Sequence, residues 1–509
     1  MNRIENSNVQ TMINLFSNLI ATIVSALIGF FLSPYIVEHL GAEANAFTQL
    51  ANNFVTYASL ISIALNSMAA RFISISYHRN ELKEARNYYS SLVIGNMIIV
   101  GLLIIPAILC ISKLEMLINV EETNVLDVKL LFSFVFINFF ITQISSVFYI
   151  AMYVMNKLFW QNLINLVKAI FNMITILVVF NYLPPKIFYV SFIGAFLGLC
   201  TIPFYYKIKK KLLNSITFDF KYFNIKYTFI MIKSGMWNTI NQCGNVLMTG
   251  LDLLLANLLV NSSQMGALAA AKTIPNYMIQ LAGMLNNNFQ PSLTIAYATK
   301  GRREMLKQLR ISMKISSVFM SIPIITFCVF GVEFYRLWMP TLDERQLTIL
   351  SLLTCIAFIP FAGPQTLYNV FTTTDNLKVN SITFLLTGAA NFIIVYALLL
   401  KTDLGVYAIA GVSSILSIIR NLCVTVPYTA HLLKLKWYVF YADVAMSMLC
   451  CGIAAGISFA VKYFIAINGW ATLFVAVIIA CSLSLLIQIM ILLTRQERQV
   501  LVAKFMGGR

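Results

Sequence analysis

Among the charged side chains inside long apolar segments of this sequence, five are candidate contacts for a substrate or for one another: Arg71, Lys168, Asp252, Lys272 and Arg420. A charge at the centre of a bilayer costs about 2.5 to 3.5 kcal/mol on insertion scales, so such residues usually face a partner or a water-filled cavity. Three of them, Arg71, Lys168 and Arg420, have no obvious acidic partner in the sequence. Uncompensated cations suit a polyanionic ligand such as a pyrophosphate, which arginine can bind in bidentate fashion. The structural alternative is that Arg71 extends to the membrane surface while the other two hydrogen-bond between helices.

The other two charges, Asp252 and Lys272, are predicted at matching depths in neighbouring helices. Each is about six to eight residues from the outer end of its helix, which corresponds to about 9 to 12 Å at the rise of an α-helix. They could form an ion pair that orders this part of the protein. They could equally be exposed cavity charges, or a coupling site for a proton or sodium ion. The sequence leaves both interpretations open.

Uncharged polar residues form a second set of candidate ligand contacts. Asn18 lies in the first apolar segment together with Asn14 and Ser17, and Asn286 begins a run of three asparagines in the eighth. The seventh segment carries a polar stripe at helical spacing, formed by Asn238, Asn241, Gln242 and Asn245. These amides could bind sugar hydroxyls in a polar cleft, or they could hold helices together.

Catalytic, metal and cofactor sites are not predicted. The three histidines, His39, His78 and His431, are far apart in the sequence, which does not suggest a zinc site or a Ser/His triad. There is no Walker A motif, and the nine cysteines fall within or beside apolar segments, where they are expected to be packing residues. Because no sizeable loop or carboxylate cluster is present, we expect movement of a substrate rather than chemistry on it. A membrane-embedded polysaccharide polymerase or ligase is the alternative from another class.

Composition indicates which elements must position these residues. Hydrophobic residues make up 59% of the 509 residues, charged residues 11%, and the mean hydropathy is +0.81. This predicts an all-α polytopic membrane protein, because backbone groups in lipid must be satisfied within each helix. We predict about fourteen spans, near 11–36, 47–77, 88–112, 128–154, 158–182, 186–206, 229–260, 266–298, 309–333, 346–373, 377–400, 404–430, 439–461 and 470–494. Candidate kink points are Pro275, Pro291, Pro323, Pro360 and Pro364.

The series of spans occurs twice in the sequence, as an internal repeat. Leu65-Asn66 and the segment 71–77 recur about 220 residues later as Leu285-Asn286 and 291–297, and the starts of the first six spans recur with the same shift. Because six is even, both copies enter the membrane from the same side, which predicts parallel repeats of the kind found in two-lobed carriers. The predicted domains are an N-terminal lobe at 1–215, a C-terminal lobe at 216–435, and two additional spans with a tail at 436–509.

The net charge of +17 follows the membrane topology. The loops after spans two, six and eight carry most of the basic clusters and lie on the same side as the N-terminus, here called the basic side. The positive-inside rule therefore predicts that both termini are cytoplasmic. A nucleic-acid partner is not expected, because the basic clusters sit on short loops without an attached domain.

Several segments resemble bacterial polysaccharide flippases of the Wzx type, within the multidrug/oligosaccharidyl-lipid/polysaccharide exporter superfamily. The resemblance is carried by the residues from Ser234 to Gly244, from Gly250 to Asn257 and from Met265 to Pro275, and by Leu40-Gly41 through Ile73 in the first copy. It implies a V-shaped, two-lobed bundle in the bacterial cytoplasmic membrane, with a cationic cavity lined largely by spans one, two, seven and eight. The implied substrate is an undecaprenyl-pyrophosphate-linked oligosaccharide, flipped to the outer leaflet by alternating access for the synthesis of a capsule or an O-antigen-like polymer.

Other members of the same superfamily are alternatives to a polysaccharide flippase. Lipid II flippases also have fourteen spans, but they usually carry several arginines in the first two, and span one of this chain has none. Multidrug exporters usually have twelve spans. The partners expected from the resemblance are the lipid-linked oligosaccharide, membrane lipids, a coupling proton or sodium ion, and a polysaccharide polymerase.

Overall fold

The computed structural model describes residues 2–121, 124–374 and 376–492, and these residues form helices and connecting turns without a strand. The predicted tail at 493–509 lies outside the described residues. The main helices are Asn2–His78, Leu82–Ser112, Val125–Val154, Phe159–Tyr182, Phe188–Leu212, Ile225–Asn245, Asp252–Leu259, Ser262–Trp338, Glu344–Cys355, Leu377–Lys401, Val406–Arg420, Val426–Leu432, Tyr441–Phe464 and Trp470–Leu492. Short helical segments are Leu114–Leu117, Phe220–Tyr222, Phe358–Phe361, Pro364–Leu367 and Tyr368–Thr373. The all-α prediction is confirmed.

Two very long helices each contain two predicted spans. Asn2–His78 holds spans one and two and turns at Gly41, whose φ of 84° is a left-handed conformation that favours glycine. Ser262–Trp338 holds spans eight and nine and turns at Gly301, with φ 76°. The corresponding corner between spans two and three is made by Asn80, with φ 61°. The two copies therefore turn in the same way at equivalent places.

Ten helices in the described part of the chain are long and apolar enough to cross a membrane. One of them, Phe16–His78, accounts for two predicted spans, so eleven of the predicted spans are covered. The other three are spans seven, eight and ten. Span seven is interrupted by a π-helical turn at Val246–Gly250, span eight carries the asparagine run, and span ten is divided into short pieces. These three spans are the most polar or irregular ones.

The prolines explain only part of this irregularity. Span ten ends its first helix at Cys355 and continues as Phe358–Phe361, Pro364–Leu367 and Tyr368–Thr373, so the predicted break at Pro360 and Pro364 is confirmed. In contrast, Pro275 and Pro291 before the turn at Gly301, and Pro323 after it, lie inside helical segments of Ser262–Trp338.

The core packing repeats with the sequence. One cluster of buried side chains joins spans two, three, four and seven with the segment after span six, and a second joins spans eight, nine, ten and twelve with the start of span thirteen. Seven pairs of positions from the two clusters are 220 residues apart: Ile73 and Leu293, Ala85 and Met305, Tyr89 and Leu309, Val93 and Met313, Val147 and Leu367, Ile150 and Val370, and Leu213 and Leu433. The predicted repeat is therefore a repeat of packing as well as of sequence.

The chain divides into two compact units, Met1–Gly266 and Ala267–Arg509. Unit 1 includes span seven, although the second copy of the repeat begins with this span. The predicted domain limits remain predictions. Span seven packs on span two, where a methyl group on Gly235 would overlap the Ala64 carbonyl. The segment that leads into span seven is held as well, because Arg86 Nε donates to the Ser215 carbonyl at 2.9 Å and the Ser91 hydroxyl donates to the Asn224 carbonyl at 3.0 Å.

Unit 2 contains the last two spans, which are bound to span nine by polar contacts. Lys462 Nζ lies 2.8 Å from a Glu333 carboxylate oxygen and donates to the Val329 carbonyl at 2.8 Å. Gln488 accepts from the Ser321 hydroxyl and donates to the Cys450 carbonyl. These spans are therefore an integral part of the unit.

Candidate substrate-contacting residues

One face of span seven in unit 1 is a continuous polar stripe. Its members are exposed and follow each other at three- or four-residue steps: Ser234, Asn238, Asn241, Asn245 and Thr249. Met231, Gly235 and Gly244 of the same helix are buried. The predicted grouping of Asn238, Asn241 and Asn245 on one face agrees with this geometry, while Gln242 lies half-buried beside the stripe. These amides can donate and accept hydrogen bonds without carrying charge.

Arg71 lies on span two, the helix against which span seven packs. The Gly235 contact involves Ala64 and Ser67, and Arg71 follows Ser67 by one helical turn on the same face. Its side chain is exposed, and within the described residues it has no carboxylate partner. The close approach at Gly235 therefore brings a free guanidinium and the polar stripe into the same helix pair.

The polar residues of span one separate into two groups. Asn14 is buried and holds the turn between spans four and five, donating to the Asn156 carbonyl at 2.9 Å and accepting from the Phe159 N–H at 3.1 Å. Ser17 accepts a hydrogen bond from Asn162 at 3.0 Å. Asn18 is exposed. Asn14 and Ser17 are therefore helix ties, and Asn18 is the candidate that stays available to a ligand.

Lys168 lies in a seam between spans four, five and six. Its Nζ is 3.4 Å from Asn138 Oδ1, and a Cβ placed on Gly198 would be 3.3 Å from this nitrogen and 2.8 Å from Asn138 Oδ1. The absence of a side chain at Gly198 thus makes room for the ammonium group. One turn away in the same seam, the Tyr205 hydroxyl donates to Asn165. Within the described part of the chain, Lys168 has only this neutral amide as a hydrogen-bond partner.

Asp252 and Lys272 fall in different units, and their predicted pairing remains a prediction. Asp252 is 1% exposed and directly follows the π-helical turn of span seven. At that turn the Tyr57 hydroxyl donates to the Gly250 carbonyl at 2.5 Å. Lys272 is 8% exposed in unit 2. Both residues are therefore buried.

Arg420 is a buried cation at the centre of unit 2. It is 8% exposed, donates to Asn380 Oδ1 at 2.6 Å and to the Tyr368 hydroxyl at 3.4 Å, and stacks 4.6 Å from the centre of the Phe384 ring. Its Nε has no hydrogen-bond partner among the described residues. A π-helical turn, Asn421–Thr425, follows it directly. The guanidinium is held by neutral groups from spans ten and eleven, with one donor unused.

Asn286 is half-buried and connects spans eight and ten. Its amide donates to Gln365 Oε1 at 3.4 Å, and its carbonyl accepts from Asn369 at 2.9 Å. A related network in unit 1 was missed by the sequence analysis. There, Asn66 and Asn96 exchange hydrogen bonds at 3.0 and 2.9 Å, Asn66 donates to Gln143 at 3.3 Å, and Gln143 donates to Ser62 at 2.7 Å. The signal was present, because Asn66 is the residue that matches Asn286 in the repeat.

The side chains of these residues are suited to binding a ligand. In the described residues, no group of three or more His, Cys, Asp or Glu side chains is arranged to hold a metal ion. The structure brings Arg71 and the span-seven amides into one helix pair, and it places Lys168 in a separate seam of the same unit. Arg420 and Asn286 lie in unit 2. Cations and amides of this kind can hold anionic and hydroxyl groups.

Comparison with known proteins agrees with this fold. The profile of a family described as polysaccharide biosynthesis protein matches residues 12–287. The uncharacterized membrane protein EpsK of Bacillus subtilis (strain 168) is 25% identical over 501 residues, covering 97% of both chains. The matched lengths indicate that the similarity to EpsK extends through both units.

Two solved transporter structures share the fold. One is the lipid II flippase MurJ in an inward closed conformation, with a TM-score of 0.67, 17% identity, and coverage of 92% of this chain and 97% of that chain. The other is an inward-facing multidrug resistance MATE family transporter of the MOP superfamily, with a TM-score of 0.69, 12% identity, and coverage of 83% and 98%. At these identities the comparison establishes the shared fold.

Proposed function

This chain belongs to the family of polysaccharide biosynthesis proteins, and we propose that it flips an undecaprenyl-pyrophosphate-linked oligosaccharide across the bacterial cytoplasmic membrane. The product would serve the synthesis of a surface polysaccharide such as a capsule. The lipid tail stays in the bilayer while the pyrophosphate and sugars pass through a polar cleft by alternating access. Both termini are cytoplasmic in this proposal, because the basic loops share their side with the N-terminus.

The observation that carries the proposal is a set of three cations held in spans without a carboxylate. Arg71 is exposed, Lys168 has only the Asn138 amide, and Arg420 has only Asn380 and Tyr368 as hydrogen-bond partners among the described residues. Charges at this depth are costly unless a cavity or ligand compensates them. A pyrophosphate provides several oxygens that guanidinium and ammonium groups bind strongly. Arg71 and Lys168 are the first candidates for phosphate contact.

The polar stripe of span seven supports the part of the proposal that concerns binding of the sugars. Asn238, Asn241 and Asn245 present amides over about two helical turns, a length suited to several hydroxyl groups in succession. Asn18 provides a further exposed amide from span one. Asp252, buried beside the π-helical turn, is the candidate for coupling to a proton or sodium ion. A polysaccharide polymerase is the expected downstream partner.

Reconstitution into liposomes tests the proposal. Purified protein is inserted into vesicles that contain a fluorescent undecaprenyl-pyrophosphate oligosaccharide, and its movement between leaflets is followed by a reagent that cannot cross the membrane. We expect transfer of the intact lipid at a rate far above that of empty vesicles.

The same vesicles separate the alternatives. Lipid II in place of the oligosaccharide distinguishes the alternative suggested by the MurJ fold, since preferential transfer of lipid II would assign the chain to that substrate. Chromatography of the recovered lipids tests the polymerase or ligase alternative. A new glycosidic bond, or an absence of leaflet transfer for every lipid supplied, would contradict the proposal.

A further inference from the structure

The segment that joins the two copies of the repeat, residues 213–224, is here called the linker, and it carries an exposed group of lysines. The linker follows span six and leads into span seven on the basic side. The linker lysines, in and beside this segment, are all exposed: Lys207, Lys210, Lys211, Lys221 and Lys226. Asp219 is the one acidic residue between positions 201 and 233 of the sequence. The surface therefore has a large excess of positive charge.

The carboxylate of Asp219 is used inside the linker itself. Its Oδ1 accepts the backbone N–H of Lys221 at 3.0 Å and caps the short turn Phe220–Tyr222. Within the described part of the chain, none of the linker lysines forms an ion pair. Lys209 differs from them, because it is buried and donates to the Ile216 carbonyl at 2.6 Å. The linker lysines are thus available to a ligand, and Lys209 is a structural contact.

The lysines of span six continue an exposed apolar stripe of this helix. The stripe has three- or four-residue steps and consists of Phe192, Phe196, Leu199 and Pro203. Lys207 and Lys210 extend the same face with the same spacing. From Phe188, where the helix begins, to Lys207 the rise is about 29 Å, close to the thickness of the hydrocarbon layer of a bilayer. This spacing puts the ammonium groups at the level of the lipid headgroups.

Hydrogen bonds to span three hold the linker in place. Besides the bond from Arg86 Nε to the Ser215 carbonyl, Arg86 Nη1 donates to the Tyr222 hydroxyl at 3.3 Å. The Asp219 N–H donates to the Ser90 hydroxyl at 3.3 Å. The charges of the linker are therefore presented from a fixed backbone, and binding a ligand there does not require the segment to be ordered first.

Apolar side chains are exposed next to these charges. Phe220 is 74% exposed and directly precedes Lys221. The beginning of span seven has an exposed apolar stripe as well, formed by Ile225, Phe229, Ile232 and Met236. Lysines beside exposed aromatic and aliphatic side chains are typical of segments that lie in the membrane interface.

We propose that the linker lysines bind the phosphate groups of anionic phospholipids in the leaflet on the basic side, with the Phe220 ring in the headgroup region. Lysine clusters directly beside membrane spans attract anionic lipids. Their ammonium groups form charge-assisted hydrogen bonds with phosphate oxygens. A zwitterionic phospholipid offers the same phosphate, but its own amine compensates the charge, so we expect it to bind more weakly. The inference is independent of the lipid that the protein transports.

The loop after span twelve is the internal control for this surface. It corresponds to the linker in the repeat, because Leu433 pairs with Leu213 in the two equivalent cores. Trp437 is exposed there, as Phe220 is in the linker, but the loop has only two exposed lysines, Lys434 and Lys436. The two segments therefore differ mainly in charge.

Photo-crosslinking of the full-length protein in lipid nanodiscs tests the proposal. The nanodiscs contain phosphatidylglycerol with a photoreactive group next to its glycerol backbone, and labelled segments are identified by mass spectrometry. We expect the segment 204–229 to be labelled at least about fivefold more than 430–441, the effect of one or more additional lysines near a charged lipid surface. Phosphatidylcholine with the same photoreactive group should label both segments equally. Equal labelling of both by phosphatidylglycerol would overturn the proposal.

Charge-neutral variants assign the labelling to the lysines. Changing Lys207, Lys210 and Lys211 together to Gln should lower labelling of 204–229 by phosphatidylglycerol severalfold, since the exposed charges are removed while the buried Lys209 is kept. The matched control changes Lys434 and Lys436 to Gln and should leave this labelling at the wild-type level.

A second variant covers the case in which the triple variant does not fold. Lys221→Gln with Lys226→Gln removes two charges from the other end of the linker, and we expect labelling by phosphatidylglycerol to fall severalfold here too. Wild-type labelling in whichever of these proteins is folded would overturn the proposal.

A lipid-linked pyrophosphate is the other anionic lipid that fits lysines at a membrane surface. Undecaprenyl pyrophosphate is therefore added to the nanodiscs in small proportion to phosphatidylglycerol. We expect labelling of 204–229 by phosphatidylglycerol to stay unchanged. Its loss would assign the surface to the transported lipid and overturn the proposal. Because none of these measurements follows transport, their failure is distinguishable from a failure of the proposed flippase function.

Discussion

The two copies of the repeat share a core but hold their fourth helices differently. In the first copy, span four is a continuous helix joined to its neighbours through Gln143 and the asparagine pair. In the second, span ten is broken around Gly363, and Gln365 makes a single long hydrogen bond to Asn286. The two copies therefore share an equivalent core but differ in the polar contacts of their fourth helices.

The membrane charges differ between the copies as well. Lys168 corresponds to the buried Gly388, and Arg420 corresponds to the exposed Cys200. Arg71 corresponds to Pro291. Two halves that move against each other can share one repeated scaffold. A substrate without that symmetry does not need the same contacts in both halves. The charges that break the symmetry are therefore the residues we assign to the substrate.

A tight helix contact in the first unit should produce the largest change in stability. Gly235→Ala places a methyl group against the backbone carbonyl of Ala64, which cannot rotate away. We expect the free energy of unfolding in detergent to fall by about 3 kcal/mol. Gly101→Ala is the matched control in the same unit, because nothing lies within 4 Å of the added carbon. Equal stability of the two variants would mean that spans two and seven are not packed as described.

The asparagine that both copies share allows a direct comparison of the networks. Asn66→Ala leaves the buried amides of Asn96 and Gln143 without their partner, and we expect a loss of about 2 kcal/mol in the free energy of unfolding. Asn286→Ala removes the donor of one 3.4 Å hydrogen bond, and the expected loss is about 1 kcal/mol or less. A larger loss for Asn286→Ala would contradict the stronger hydrogen bonding assigned to the first copy.

The contacts of the last two spans, which have no counterpart in the first copy, should make the smallest difference. Lys462→Met removes the ion pair with Glu333 and the hydrogen bond to the Val329 carbonyl but keeps the apolar part of the side chain. Because both side chains are partly exposed, we expect a loss of about 1 kcal/mol in thermal unfolding experiments. The double variant with Glu333→Gln should lose little more than Lys462→Met alone. Additive losses would show that the two residues act independently.

The sequence was sufficient to predict the spans and the repeat, because both depend on long patterns of hydrophobicity. The exposed face of Asn238, Asn241 and Asn245 also followed from helical spacing. The neighbours of Lys168 could not be predicted, since they depend on Gly198 leaving room for an ammonium group between three helices. The π-helical turn before Asp252 carries no proline, so no local pattern indicated it.

The roles of the polar residues of span one could not be predicted from the sequence either. Asn14 and Asn18 are four residues apart and indistinguishable as sequence, yet Asn14 is buried against the turn at Asn156 while Asn18 is exposed. Long-range packing decides which amide is a helix tie. In contrast, the irregularity at Pro360 and Pro364 in span ten was predictable, because a proline cannot donate the helical hydrogen bond.

The most direct test is the rate of lipid transfer in liposomes after neutralisation of the charges that break the symmetry. Arg71→Gln, Lys168→Gln and Arg420→Gln are compared with Lys186→Gln and Lys378→Gln, which change exposed lysines. At equal protein content, we predict that each of the first three lowers transfer of the pyrophosphate-linked oligosaccharide by at least about tenfold, the loss of one charge-assisted contact. The two control variants should transfer it at the wild-type rate. Wild-type transfer by all three substituted proteins would contradict the assignment of these cations to the substrate.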